Sequence, residues 1–327
     1  MKRSLLLLAL LFAAACGPAE GGATSTTAEP PTTTVAQAVT TTTVEPATTA
    51  ASDAFPVTIE ADNGSVTIDE EPERIVSLSS VATEMLFAVG AGDQVVAVDD
   101  QSNYPAEAPM TDLSGFTPNV EAILGYEPDV VFISYDPADL VAQLSAAGVP
   151  VVNFGAAATL DDVYRQIEAV GAATGHGDDA IIVNEQIATD LDKAVADAPE
   201  IPEGTDYYHE VDNTFYTLTS STLFGSIYTM FGLANIADEA DPDGFGYPQL
   251  SSEHIVESDP DLIFLADTLY GETAETVAAR PGWGSLSAVE DGSIFGLDSD
   301  IASRWGPRIV EFAQSISAAL EEYVSED

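Results

Sequence analysis

The chain carries one phrase twice. Asn119–Ile133 reads NVEAILGYEPDVVFI and Ser252–Leu265 reads SEHIVESDPDLIFL. Aligned, the two share E-x-I-[LV]-x-x-[ED]-P-D-[VL]-[VI]-F-[IL], which sets Glu121 against Glu253, Pro128 against Pro260 and Asp129 against Asp261. In each copy a helical spacing of apolar residues is stopped by a Pro-Asp turn and followed by a short apolar run that fits a buried strand. A long-period repeat of one helix–turn–strand unit predicts two similar α/β lobes, with the stretch between them as the connection.

The flanking sequence fills out the lobes. Phe55 to Ile68 predicts a β-ribbon turning at Asn63-Gly64. Ile75–Leu78 and Val95–Val98 read as strands around a helix from Thr83 to Val89, which Gly90 and Gly92 stop. A helix around Leu140–Ala146 and a strand Val149–Phe154 follow the first copy. Short apolar strands alternating with helices imply mainly parallel sheets covered on both faces. Between the lobes, Leu160, Val163, Tyr164, Ile167 and Val170 mark one helix, and Val183, Ile187, Leu191 and Val195 a second from about Asp179 to Asp197. The second is about 28 Å long at helical rise, enough to act as a stiff rod from lobe to lobe. The second lobe adds a strand near Tyr207–Val211, a helix Leu223–Gly232, the second copy, a helix near Thr273–Ala279, a strand Ile294–Leu297 and a last helix opening at Pro307. The expected architecture is α/β: an N-terminal lobe over residues 54–158, connecting helices over 159–199, and a C-terminal lobe over 200–327. A long interdomain helix joins the lobes and a ligand cleft lies between them.

Charge narrows the partners. Eight Lys and Arg against 55 Asp and Glu give a formal charge of −47. Nucleic acid and anionic membrane surfaces are disfavoured, because phosphate binding needs clustered cations. The acidic excess reads as a solubilising exterior. A single Cys excludes an intrachain disulfide, and three scattered histidines (His176, His209, His254) starve a multi-histidine metal site. No protein-held metal or cofactor is expected. Nucleophile-elbow, Walker and H-E-x-x-H motifs are absent. An exported hydrolase using paired carboxylates is the enzyme alternative, but among 55 acidic residues some pair is guaranteed and carries no information.

The N-terminus reads as an address. Met1-Lys2-Arg3 is basic, and Leu5 to Phe12 is an apolar run too short to span a bilayer. Ala13-Ala14-Ala15-Cys16-Gly17 resembles the lipobox of bacterial lipoproteins, with Ala13 where Leu is usual. That resemblance implies a signal peptide over residues 1–16, lipidation of Cys16 and anchoring at the outer face of the cell membrane or the periplasmic side. Residues 17–53 are Thr, Ala, Pro and Glu with almost no large apolar side chain, so nothing there offsets the entropy of ordering. As a tether they span about 30–35 Å if flexible.

Several motifs resemble one family. Pro72-Glu73-Arg74-Ile75-Val76-Ser77-Leu78, Thr83-Glu84, Gly90-Ala91-Gly92 and Asn103-Tyr104-Pro105 are similar to the first lobe of helical-backbone substrate-binding proteins. These are the cobalamin, ferric-siderophore and haem receptors of ABC importers. The doubled phrase and Ser303-Arg304-Trp305-Gly306-Pro307-Arg308 extend the likeness to the C-terminus. The resemblance implies a monomeric receptor that binds a small-molecule metal chelate, with the metal arriving inside the chelate, and docks on an ABC importer permease. It implies docking through one acidic residue per lobe, here Glu121 and Glu253. Both also sit in a helical first turn, where a negative charge complements the helix dipole.

Ligands of open parallel sheets bind outside the carboxyl ends of the strands. That rule selects Tyr104, Phe116, Tyr135 and Asp136 in the first lobe. In the second it selects Phe215, Tyr216, Phe245, Tyr247, Asp267, Tyr270, Asp298 and Arg304. The aromatic excess suits a large, flat, partly apolar chelate. Beyond the tether the cations are Arg74, Arg165, Lys193, Arg280, Arg304 and Arg308. Of these, Arg304 is the best placed for the cleft. So few cations favour a weakly charged cargo, a corrinoid such as cobalamin or a hydroxamate siderophore, over triscatecholates. A haem receptor with a tyrosine ligand is the alternative within the family.

Overall fold

The computed structural model describes residues 55–326; the expected signal peptide, Cys16 and tether lie outside the described residues. The chain opens with an antiparallel ribbon, β1 (Val57–Ala61) and β2 (Gly64–Ile68), in the register Val57↔Ile68 to Ala61↔Gly64. The turn residues are Asp62-Asn63, one earlier than expected, because Gly64 supplies the left-handed backbone (φ +98°) and already pairs as the first residue of β2.

The first sheet follows: β3 (Ile75–Leu78), α1 (Ser80–Ala88), β4 (Val95–Asp99), β5 (Met110–Leu113), α2 (Val120–Leu124), β6 (Val130–Ile133), α3 (Leu140–Ala146) and β7 (Val151–Asn153). Its strands are all parallel, in the order β5-β4-β3-β6-β7. Two helices, α4 (Leu160–Thr174) and α5 (Gly177–Asp197), lead to the second half. There the order is β8 (Asp206–Glu210), α6 (Leu223–Met230), β9 (Ala234–Asn235), α7 (Ser252–Ser258), β10 (Leu262–Leu265), α8 (Ala274–Ala278), α9 (Ser287–Glu290), β11 (Ile294–Gly296) and α10 (Ile309–Glu326). The second sheet is parallel too, ordered β11-β10-β8-β9.

The doubled phrase takes the same place in both sheets. β6 pairs with β3 and β10 with β8, so each copy lies beside the strand that opens its sheet. Both Pro-Asp turns do one job. The carboxylate of Asp129 accepts the N–H groups of Glu73 and Arg74 at 2.9 Å each, and that of Asp261 accepts the N–H of Asp206 at 3.0 Å. Each aspartate thus holds the chain entering the neighbouring strand.

The connecting helices are part of the core. The capping box of Thr159 and Asp162 starts α4, and Gly171 lets α4 and α5 close on each other, since a Cβ there would meet that of Ala180 at 2.5 Å. α4 packs on β1 and α1; α5 packs on α4 and α10. One apolar cluster runs from Ile75 and Val98 through Ile167 and Leu191 to Tyr207, Phe264 and Phe312. The outer faces of the two sheets have their own clusters, around Ile123 and Leu144 and around Ile255 and Trp283. Opening the lobes widely would expose the shared inner cluster, so the connection resists it.

Candidate ligand cleft between the sheets

Both sheets point their strand carboxyl ends at one cleft of about 610 Å³. From the first come Leu78 at the end of β3 with Ser79-Ser80 after it, Asp99 at the end of β4, Gly115-Phe116 and Ser134-Tyr135; from the second come His209, Val211, Ala266, Leu269-Tyr270, Ser299-Asp300 and Ala302 to Trp305. Gly115 is required where it stands: a Cβ would lie 2.4 Å from the carbonyl oxygen of Leu78 and 2.9 Å from Asp99 Oδ2. Asp99 is buried on this wall and accepts a 2.6 Å bond from Ser102 Oγ; burial raises its carboxyl above the usual aspartate range.

The structure sorts the sequence candidates. Phe116, Tyr135, Tyr247, Tyr270 and Arg304 line the cleft, and the rings of Phe116 and Tyr135 meet at 5.7 Å. The other seven do not line it. Asp136 accepts the N–H of Val141 (2.8 Å), and Asp298 those of Asp300 (2.9 Å) and Ile301 (3.1 Å): short carboxylates consumed by their own turns. Phe215, held at φ +69°, stacks on Trp283 at 5.7 Å in the outer cluster. Tyr104 lies under the Arg308 guanidinium at 4.3 Å. Tyr216 pairs its backbone with Gln249 and Phe245 is exposed on a loop closed by the carboxylate of Asp241. Asp267 is buried outside the cleft.

Arg304 brings no free charge to the cleft. It lines the cleft but is already neutralised: Nη1 donates to Glu84 Oε1 (3.0 Å) and Asn103 Oδ1 (2.8 Å), Nη2 to the carbonyl of Gln101 (3.1 Å), and Nη2 lies 2.8 Å from Asp300 Oδ1. Arg308 holds the same Glu84 with bonds of 3.0 and 2.7 Å. Glu84 belongs to α1 of the first lobe, so the two arginines clasp the lobes together. Arg280 is likewise taken, by Glu210 (2.5 and 2.6 Å) and Glu272 (2.8 Å). Arg74 donates to the carbonyls of Tyr126 and Glu127, Arg165 pairs with Asp162 and Lys193 with Asp197. All six cations among the described residues are therefore engaged, and the cleft presents hydroxyls, aromatics and acids.

Asp267 sits at the edge of the Arg280 cluster with Oδ1 buried and unpartnered. Burial, then the charge of Glu210, pushes its carboxyl up to about 7. The folded protein therefore holds a proton that an unfolded aspartate gives up near pH 4, and stability should fall as pH rises from about 4 to 7. Asp267→Asn should flatten that part of the profile, removing a decline of about 4 kcal/mol. Urea melts of both proteins at several pH values decide it; parallel profiles would refute the assignment.

The two tryptophans also separate. Trp283 is fully buried, its Nε1 donating to Ser252 Oγ at 2.8 Å, whereas Trp305 lines the cleft and donates to Gln166 Oε1 at 3.1 Å. Ligand-dependent fluorescence should vanish in Trp305→Phe and persist in Trp283→Phe; the reverse would place the cargo elsewhere.

Glu121 and Glu253 are exposed in the first turns of α2 and α7, helices capped by Asn119 Oδ1 and Ser251 Oγ at 3.1 Å each. Neither carboxylate has a hydrogen bond or ion pair among the described residues. In a parallel sheet, helix N-termini lie at the carboxyl ends of the strands, so both charges stand on the side where the cleft opens.

The periplasmic binding protein family model matches residues 75–301, and the chain belongs to that family. It is 32% identical over 279 residues to YvrC, an uncharacterized ABC transporter substrate-binding lipoprotein of Bacillus subtilis, covering 82% of this chain and 87% of YvrC. It is 33% identical over 273 residues to a cobalamin-binding protein of Halobacterium salinarum, covering 79% and 72% respectively. Among solved structures, the periplasmic vitamin B12 binding protein BtuF of Vibrio cholerae superposes with a TM-score of 0.60 at 25% identity, over 78% of this chain and 98% of BtuF. The periplasmic heme-binding protein RhuT of Roseiflexus sp. RS-1 shares the fold, with a TM-score of 0.66 at 24% identity over 78% and 99% of the two chains.

Proposed function

We propose that this chain is an extracytoplasmic receptor that captures a weakly charged metal chelate, of the corrinoid or hydroxamate class, between its lobes and delivers it to an ABC importer. The observation that carries the reading is the cleft itself: about 610 Å³, lined by aromatic and aliphatic side chains with hydroxyls and acids between them, and without an unpaired cation. An anionic cargo would have to break the Arg304–Glu84 pair to find a counter-charge. The haem reading is weaker on the same ground. Cyanocobalamin, a ferric hydroxamate and haemin, titrated calorimetrically into the full-length chain, test it. Tight binding of either of the first two supports the reading; binding of haemin alone would overturn it. Recovery of the cargo unchanged separates a receptor from a hydrolase.

Docking of Glu121 and Glu253 on permease arginines, and an anchor at Cys16, belong to the same proposal. Charge-assisted contacts from two rigid lobes fix orientation as well as affinity. Cys16→Ser should move the protein from the membrane fraction to the soluble one; retention would remove the anchor.

A further inference from the structure

His209 escaped sequence reasoning because nothing around it resembles a ligand motif. It lies near the end of β8, 1% exposed, and lines the cleft beside Val211, Leu218 and Phe224. Its Nδ1 is 2.9 Å from Tyr228 Oη, and Phe312 packs on the ring at 6.4 Å. Tyr228 is fully buried, and among the described residues Nδ1 is the single hydrogen-bond partner of its hydroxyl. A buried O–H without an acceptor is costly, whereas an oxygen lone pair left idle costs less. The hydroxyl therefore donates to Nδ1, and the proton of the neutral imidazole must sit on Nε2. Burial keeps the ring neutral, with its pKa lowered to about 3. Among the described residues Nε2 has no hydrogen-bond partner, yet it is not among their sealed, unbonded polar atoms.

We infer that His209 is a specificity-determining residue of the cleft: Nε2–H faces the cargo as a fixed neutral donor and selects an uncharged acceptor, such as an amide carbonyl on a corrinoid rim. This deepens the receptor reading and rests on it. The same tautomer disfavours direct metal ligation. To bare Nε2, the proton would have to move to Nδ1, leaving the Tyr228 hydroxyl with no acceptor in a fully buried site.

Histidine labelled with 15N in the ring gives only three imidazoles in the full-length chain, and contacts to the Tyr228 ring assign His209. In the ligand-free protein Nε2 should be protonated and Nδ1 bare; protonation at Nδ1 overturns the inference whatever binds. Added cyanocobalamin should shift the Nε2–H signal. His209→Leu should weaken cyanocobalamin about tenfold, while His209→Gln, which retains an amide N–H, stays near wild type. Should His209→Leu fail to fold, the shift in the unmodified chain still decides. Cyanocobalamin bound with the His209 signals and both affinities unmoved would refute the role of His209 and leave the receptor reading intact. No cyanocobalamin or ferric hydroxamate binding by the unmodified chain would refute the receptor reading instead. Haemin bound with loss of the Nε2 proton would refute both.

Discussion

Glu84→Ala should lower the unfolding free energy by about 3–5 kcal/mol, read as a reduced urea midpoint at unchanged slope. Glu84 is 3% exposed and Arg304 6% exposed, and the one carboxylate accepts from both Arg304 and Arg308. Removing it takes the carboxylate from Arg308 and one of two from Arg304 in a largely buried site, where water replaces the lost charge poorly. Arg304 would retain Asp300, Asn103 and the Gln101 carbonyl, whereas Arg308 would keep its contact with the Tyr104 ring and the more distant charges of Glu311 and Asp298, with no hydrogen-bonded carboxylate among the described residues. Glu84→Gln should fall between wild type and alanine, since it preserves one acceptor and no charge. A loss under about 1 kcal/mol, as for a surface pair, would mean that the clasp is solvated and does not hold the lobes.

Reversing both docking charges, Glu121→Arg with Glu253→Arg, should abolish uptake of the cargo and leave its binding affinity unchanged. Both residues stand outside the cleft lining, and neither carboxylate has a partner among the described residues. The folded body should lose about 0.3–1 kcal/mol per site, from placing a cation at a helix N-terminus. That small cost distinguishes two roles. If the glutamates only complement their helix dipoles, stability drops by this amount while uptake is normal. If they meet permease arginines, transport is lost in a protein that still binds. Single reversals should retain partial uptake, because the other lobe keeps its contact. A double variant that transports like wild type, or one that loses affinity for the cargo, would defeat the docking assignment.

Much of the frame was legible because it is written in local pattern. The repeated Glu…Pro-Asp phrase gave equivalent places in two parallel sheets, and Asp129 and Asp261 anchor neighbouring strands in the same way. The rod between the lobes followed from apolar spacing on α5. The strand-end rule located the cleft, and Phe116, Tyr135, Tyr247 and Tyr270 line it. The same rule overreached at Asp136 and Asp298, whose carboxylates close turns, and at Phe215, which a left-handed backbone turns onto Trp283. Sequence spacing marks where a residue sits along the chain, not what its side chain bonds.

Periodicity and turn chemistry are short-range, so the amino-acid order by itself determined two α/β halves and a helical connection. Who neutralises whom was decided only in three dimensions. Arg304 meets Glu84 across 220 positions of sequence, Arg280 meets Glu210 across 70, and Tyr228 fixes the proton of a histidine 19 residues away. Burial makes each of those pairings obligatory, because a charge or hydroxyl withdrawn from water must find its partner inside the fold.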